Sequence, residues 1–261
     1  MKRIVITGIQ GGVGATTVAA NLTIALHSIE QKAHAIDMNP TNFMRLHFSM
    51  DPNNNDGWML RRYHQEPWQQ AGYQNHHQIP FVPFGELTEA QYQQQLTALQ
   101  QQPMTLLNNI SPENKEAESK SDWQIILLPE ITSLQNFHRP LLDEADLVIC
   151  VVRPDIQSYL SLQKNRHYQA LHEKHNIKLL MNAFNANSEV SRDLQLVIKH
   201  EYQEMIIPTL MHFDTAVPEA VANLTSVLEA APYSQAAQDY RSFAFWCLTH
   251  VNQEIMVTPN V

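Results

Sequence analysis

The chain has 261 residues, 44% of them hydrophobic, enough to bury one large α/β core or two small ones. Its 17 Lys+Arg against 26 Asp+Glu leave a formal net charge of −9, which argues against non-specific nucleic-acid binding through clustered cations. The two cysteines, Cys150 and Cys247, sit in apolar runs and are expected as buried free thiols; no apolar run reaches the roughly 18 residues of a membrane span, and the first residues enter a strand without a leader pattern, so a cytoplasmic chain is expected.

The first predicted strand is Arg3-Ile4-Val5-Ile6-Thr7, a short β-branched run. Gly11-Gly12-Val13-Gly14-Ala15-Thr16-Thr17 follows, and then Val18, Leu22, Ala25, Leu26 and Ile29 recur on one face of a helix. Strand, glycine loop, helix is an arrangement that holds a phosphate. Glycines let the backbone come close, and successive N–H groups form an anion nest at the positive end of the helix. The P-loop pattern G-x-x-x-x-G-K-[ST] fails here, because Ala15 stands where the lysine belongs and Ile9 where the first glycine belongs. From the residues alone, a tight turn that binds nothing remains the other reading.

Ala33-His34-Ala35-Ile36-Asp37 predicts a second strand ending in an acid, and Asn39-Pro40 signals a turn. Trp58 to Tyr63 reads as a short helix, Ile79 to Gly85 as strand-like, and Gln91 to Gln102 as a helix with a thin apolar stripe at Tyr92, Leu96 and Leu99. The polar stretch 111–121 is expected to be a solvated, mobile insertion. Asp122–Pro129, Ala145–Val152 and Ile177–Asn182 predict further buried strands. A helix through Leu160, Gln163 and His167 joins the last two, and Glu204–Pro208 is expected as a final short strand. Ala230–Tyr240 resembles the closing helix of a known ATPase family, named below, and that resemblance implies an end at Phe245–Leu248, leaving 251–261 as a tail. The pairs His76-His77 and His172/His175 lack the i, i+4 spacing of a zinc helix, and no structural metal is expected. The alternation of strands and helices predicts one α/β domain over 1–250, with a doubly wound, mostly parallel sheet.

Gln10 to Thr17 resembles the deviant P-loop K-G-G-x-G-K-T-T of the ParA/MinD-type ATPases, with Gln10 and Ala15 in place of the two lysines. Asp37 to Asn42 is similar to that family's D-x-D-P-x-x-N segment, with Asn39 at the second acid. Aligned on Pro129, the Walker B acid falls on Leu127, and Glu130 lies three residues further on. Gly57-Trp58, Trp68–Gly72 and Ile79–Gly85 resemble the BcsQ family of cellulose-biosynthesis accessory proteins within that superfamily, although Trp58 and Trp68 would serve equally as core anchors.

This resemblance implies nucleotide contacts from Gly11, Gly12, Val13, Gly14, Ala15, Thr16, Thr17 and Asn182, with Asn182 on the adenine. It implies ATP with magnesium held through Thr16, and Asp37 as a possible catalytic acid. With the loop lysine, the signature lysine and the Walker B acid all absent, it implies little or no hydrolysis. An arginine or lysine from a partner chain could substitute, with Arg3, Arg45 and Arg153 as the candidates. The implied partners are subunits of a cellulose-synthase complex and a second copy of the chain. Nucleic acid and direct membrane insertion are not expected, since 249–261 carries no basic amphipathic face; any attachment to the inner membrane would run through protein partners.

Overall fold

Three apolar runs become the middle of one sheet. The computed structural model describes residues 1–101 and 123–257, so the predicted insertion at 111–121 lies outside the described residues. The strands are β1 (Lys2–Gly8), β2 (Ala33–Asp37), β3 (Tyr73–Gln74), β4 (Pro80–Val82), β5 (Trp123–Leu127), β6 (Leu147–Val152) and β7 (Ile177–Met181). Among the described residues they form a single sheet in the order β3-β4-β2-β5-β1-β6-β7. Every pairing is parallel except the β3–β4 hairpin at one edge. β5 and β6 are buried at every position, as strands covered on both faces must be, which is why they read as unbroken apolar runs.

The helices are α1 (Ala15–Ser28), α2 (Trp58–Tyr63), α3 (Glu89–Gln101), α4 (Arg139–Asp143), α5 (Ile156–Lys164), α6 (Arg166–His172), α7 (Glu189–Glu201), α8 (Ala216–Ala222), α9 (Val227–Ala230) and α10 (Gln235–Val257). α1 packs between the sheet and α10, and Val18 to Leu26 are all buried. Buried polar groups there are satisfied: Asn21 Nδ2 donates to Thr17 O at 2.9 Å, and its Oδ1 accepts from Val227 N at 3.1 Å, tying α1 to α9.

Three expectations change. The helix predicted through His167 is two helices, because Asn165 takes an extended backbone and caps α6 by accepting from His167 N and Tyr168 N. Glu204–Pro208 forms only an isolated bridge, Ile206 beside Leu179, and Pro208 has no N–H to carry a ladder further. α10 runs on to Val257, past the Phe245–Leu248 end read from the sequence. Cys150 and Cys247 are free and buried, as expected. Trp58 is a core anchor: 1% exposed, it donates Nε1–H to Asp37 O at 2.8 Å and meets Phe84 edge-on at 5.3 Å.

Candidate functional site

The C-terminal ends of β1, β5, β6 and β7 converge where the strand order turns back, the place at which open α/β sheets take ligands. Residues 9–14 leave β1 there and lead into α1. Ile9 N–H donates to Val151 O at 3.0 Å and fixes the start of the loop. Gly12 and Gly14 adopt positive φ, 79° and 91°. A Cβ on Gly14 would stand 2.4 Å from Asn182 Nδ2, so both conformation and space demand glycine at 14. At Gly12 only the conformation does, since an added Cβ would meet nothing within 4 Å; at Gly11 neither constraint applies. Among the described residues, no acceptor lies on the N–H groups of residues 11 to 17. They remain available, at the positive end of α1, to an anion.

The loop divides two cavities. One, of about 330 Å³, is lined by Gly12, Val13, Gly14 and Thr17, by Arg153 and Asn182 after β6 and β7, and by the 211–218 segment, Ala236 and Tyr240. The other, of about 360 Å³, is lined by residues 10–16 with Asn39, Thr41, Phe43, Leu128 and Glu130.

In the first cavity, Asn182 Nδ2 donates to Val13 O at 2.8 Å, so its amide braces the glycine loop. Arg153 is held by its backbone N–H on Ser158 Oγ at 3.1 Å, and its guanidinium lies 3.7 Å from Asp155. Its Nε is buried without a hydrogen-bond partner, the kind of donor that an anionic ligand satisfies. His212 also lines this cavity, with Nδ1 3.0 Å from Asp239 Oδ2. Ala183, next to Asn182, sits at φ 55°, an uncommon conformation for a residue with a side chain.

The second cavity is poorer in charge. Gln10, at the signature-lysine position, accepts from Ser161 Oγ at 3.1 Å and turns onto α5. Ala15 offers only a methyl group. Asn39 Oδ1 closes its own turn by accepting from Thr41 N at 3.1 Å and Thr41 Oγ1 at 3.0 Å. Leu127 is fully buried in register with Ile6 and Asp37, while Leu128 and Glu130 line the cavity. Strand parity gave no warrant for Glu130 to reach the site; it does so because the chain leaves β5 at Leu127 and parity ends there. Ser133 Oγ donates to Glu130 Oε1 at 2.8 Å and orients it.

Asp37, expected as a possible catalytic acid, is fully buried and has another use. Oδ1 accepts from Asn39 N at 2.9 Å and Oδ2 from Met44 N at 3.4 Å, so the carboxylate holds the turn after β2. Burial pushes its pKa up to about 7, against the pull of those two backbone bonds and of Arg45. Of the candidate cations only Arg153 reaches the loop. Arg3 pairs with Glu144 and Gln124, and Arg45 with Glu86 and Asn54 O. The sequence placed Arg153 and Glu130 on the page without assigning either to a cavity; a charged residue one to three positions past a strand end was the available signal.

The chain matches the family described as "Cellulose biosynthesis protein BcsQ" over residues 1–248. It is 30% identical over 255 residues to the cellulose biosynthesis protein BcsQ of Escherichia coli K12, covering 97% of this chain and 95% of that one. Among solved structures it is similar to a cobyrinic acid a,c-diamide synthase from Mycobacterium smegmatis with bound ATP analog and magnesium, with a TM-score of 0.72 at 19% identity over 96% of this chain and 95% of that one. It is also similar to the septum site-determining protein MinD complexed with Mg-ADP from Pyrococcus horikoshii, with a TM-score of 0.65 at 19% identity over 93% and 94%. At these identities the structural likeness establishes the fold.

Proposed function

This chain belongs to the BcsQ family of cellulose-biosynthesis proteins, and from that premise we propose that it is an accessory subunit of bacterial cellulose secretion whose partner binding is set by ATP held on the 11–17 loop, with little or no hydrolysis. The observation that carries this reading is the free N–H nest of residues 11–17 with Arg153 beside it, its Nε 3.7 Å from Asp155 and making no hydrogen bond.

The residues fit a nucleotide phosphate chain better than they fit its cleavage. Backbone N–H groups and the α1 dipole bind the phosphates, and Arg153 adds a fixed positive charge on the 330 Å³ side. Asn182 keeps the loop in its binding conformation through Val13 O. Thr16 presents a hydroxyl in the second cavity, where Glu130 is the carboxylate able to orient a magnesium-bound water. Bound magnesium would supply charge neutralisation at the terminal phosphate. Among the described residues no lysine or arginine lines that cavity, and transition-state cations of the arginine-finger kind are worth about 10³–10⁵ in rate.

Partner choice then depends on the loaded form, since a ligand shifts a population only through differential contacts. Subunits of the cellulose-synthase complex, and a second copy of this chain, are the partners this reading supplies. Calorimetry with Mg-ATP beside steady-state phosphate release tests it. Saturable binding without turnover is expected. No binding in a folded protein would make the chain a fold-only scaffold, and turnover lost on Gly14→Arg would make it a working ATPase.

A further inference from the structure

We propose that His76, His77 and Glu229 form a site for a divalent transition-metal ion that clips the β3–β4 turn to helix α9. His76 Nε2 lies 2.8 Å from Glu229 Oε1, and His77 Nε2 lies 3.5 Å from Oε2. One ligand atom from each of the three side chains falls within 4.8 Å of the others. Zinc ligands at about 2.0–2.1 Å in a tetrahedron stand about 3.3 Å from one another. The two His–Glu separations already straddle that value. The two imidazoles need only a small rotation toward each other, and both side chains are about half exposed, 51% and 55%.

The framework around these side chains is fixed. Asn75, itself buried, accepts from His77 N at 3.0 Å and Ile79 N at 2.9 Å through Oδ1, and Gln78 takes φ 59° to close the turn. That turn holds the two rings 4.1 Å apart, centroid to centroid. Thr225 Oγ1 donates to Glu229 Oε2 at 2.7 Å, the outer bond that orients a ligating carboxylate.

A simple ion pair would need one histidine. A metal ion uses both, each imidazole offering one ring nitrogen. Two imidazoles and one carboxylate suit zinc, nickel or copper rather than magnesium or calcium. His77 and Glu229 also line a cavity of about 460 Å³, together with Arg241. The sequence hid this site because Glu229 lies 153 residues from His76.

The test uses the full chain made without a polyhistidine tag and stripped with chelator. Calorimetry with zinc chloride is expected to show one equivalent bound, with magnesium chloride showing none, and zinc should raise the thermal midpoint. The double substitution His76→Ala/His77→Ala, and separately Glu229→Gln, should each remove that equivalent, while His172→Ala/His175→Ala leaves it. Thr225→Val should weaken zinc by about 10–100-fold, the usual cost of losing an outer-shell partner. Absence of a stoichiometric zinc isotherm in the parent chain would overturn the proposal, as would an isotherm unchanged by Glu229→Gln.

Discussion

The two cavities flanking the glycine loop have been furnished differently. The side with Asn182 and Arg153 has an amide that braces the loop, a cation whose Nε makes no hydrogen bond, and a His212–Asp239 pair. The side with Thr16 has Gln10 folded onto α5, a methyl at Ala15, an amide at Asn39 occupied by its own turn, and Glu130 as the lining carboxylate. Binding a nucleotide and cleaving it draw on opposite sides of the loop, so a chain can keep the first while losing the second. That is the physical content of our reading, and each change below either separates the two sides or collapses the distinction.

The largest effect is expected at the loop itself. Gly14→Val forces a side chain onto a φ of 91° and into the Asn182 amide, so it should abolish Mg-ATP binding and cost at least about 1–3 kcal/mol of stability. Gly12→Val carries the same conformational penalty at φ 79°, so lost binding there cannot be separated from strain. Gly11→Val is the clean probe, because an added Cβ meets nothing within 4 Å. It should keep the thermal midpoint within a degree or two of the parent and alter only binding. A thermal midpoint for Gly14→Val equal to the parent's would contradict the loop geometry.

Next is Asp37, buried at the end of β2. Its folded pKa of about 7 exceeds the ordinary 3.8, so between those values the native state holds more protons than the unfolded chain. Stability should therefore be greatest below about pH 4 in this respect and should fall as pH rises to about 7. At about 1.36 kcal/mol per unit of pKa shift, the total is a few kcal/mol. Asp37→Asn should flatten that slope in urea unfolding followed across pH. Parallel profiles for the two proteins would mean that the carboxylate is not buried at neutral pH and could serve the cavity after all.

On the other side of the loop, Arg153→Gln should weaken Mg-ATP by about 1.5–3 kcal/mol, the range for a charge-assisted hydrogen bond, with little change in stability. Arg153→Lys should not restore full affinity, because an ammonium cannot reproduce the planar fork. Asn182→Ala removes the donor on Val13 O and should cost roughly 1–3 kcal/mol shared between stability and binding. If calorimetry shows both affinities unchanged, the cavity with Asn182 is not where the nucleotide lies.

Much of this frame was legible in the residues. β5 and β6 announce themselves as apolar runs because strands covered on both faces have no polar side, and the glycine loop announces itself because φ near +80–90° admits little else. What the sequence concealed was long-range or local in the wrong way. Asn165 reads as one more polar residue within a helical run, yet its side chain ends one helix and starts another. Arg3, Arg45 and Arg153 look alike as cations, and only tertiary pairing shows that the first two are taken. Glu130 fell outside any strand-parity argument, and the contact the structure gives Asn182, expected on a base, is to the loop carbonyl of Val13.

The smallest effect, and the sharpest on the comparison, is expected from Ala15→Lys. Position 15 opens α1, half-buried against the edge of the core, and it lies on the Thr16 side of the loop. A lysine there adds a point charge to the phosphate nest and should tighten Mg-ATP by about 1 kcal/mol, the modest gain of a partly exposed charged contact. It should not produce turnover. Leu127 is buried where an acid would support magnesium, and Asn39 Oδ1 is committed to Thr41, so neither the metal nor the attacking water gains a partner. Phosphate release measured for Ala15→Lys should therefore match the parent. If the substitution alone yields a brisk ATPase, the cavity with Thr16 is less depleted than it looks, and Glu130 is supplying the missing carboxylate. Adding Glu130→Gln to the same protein would then abolish the gain, and the difference between the two cavities would reduce to one lysine.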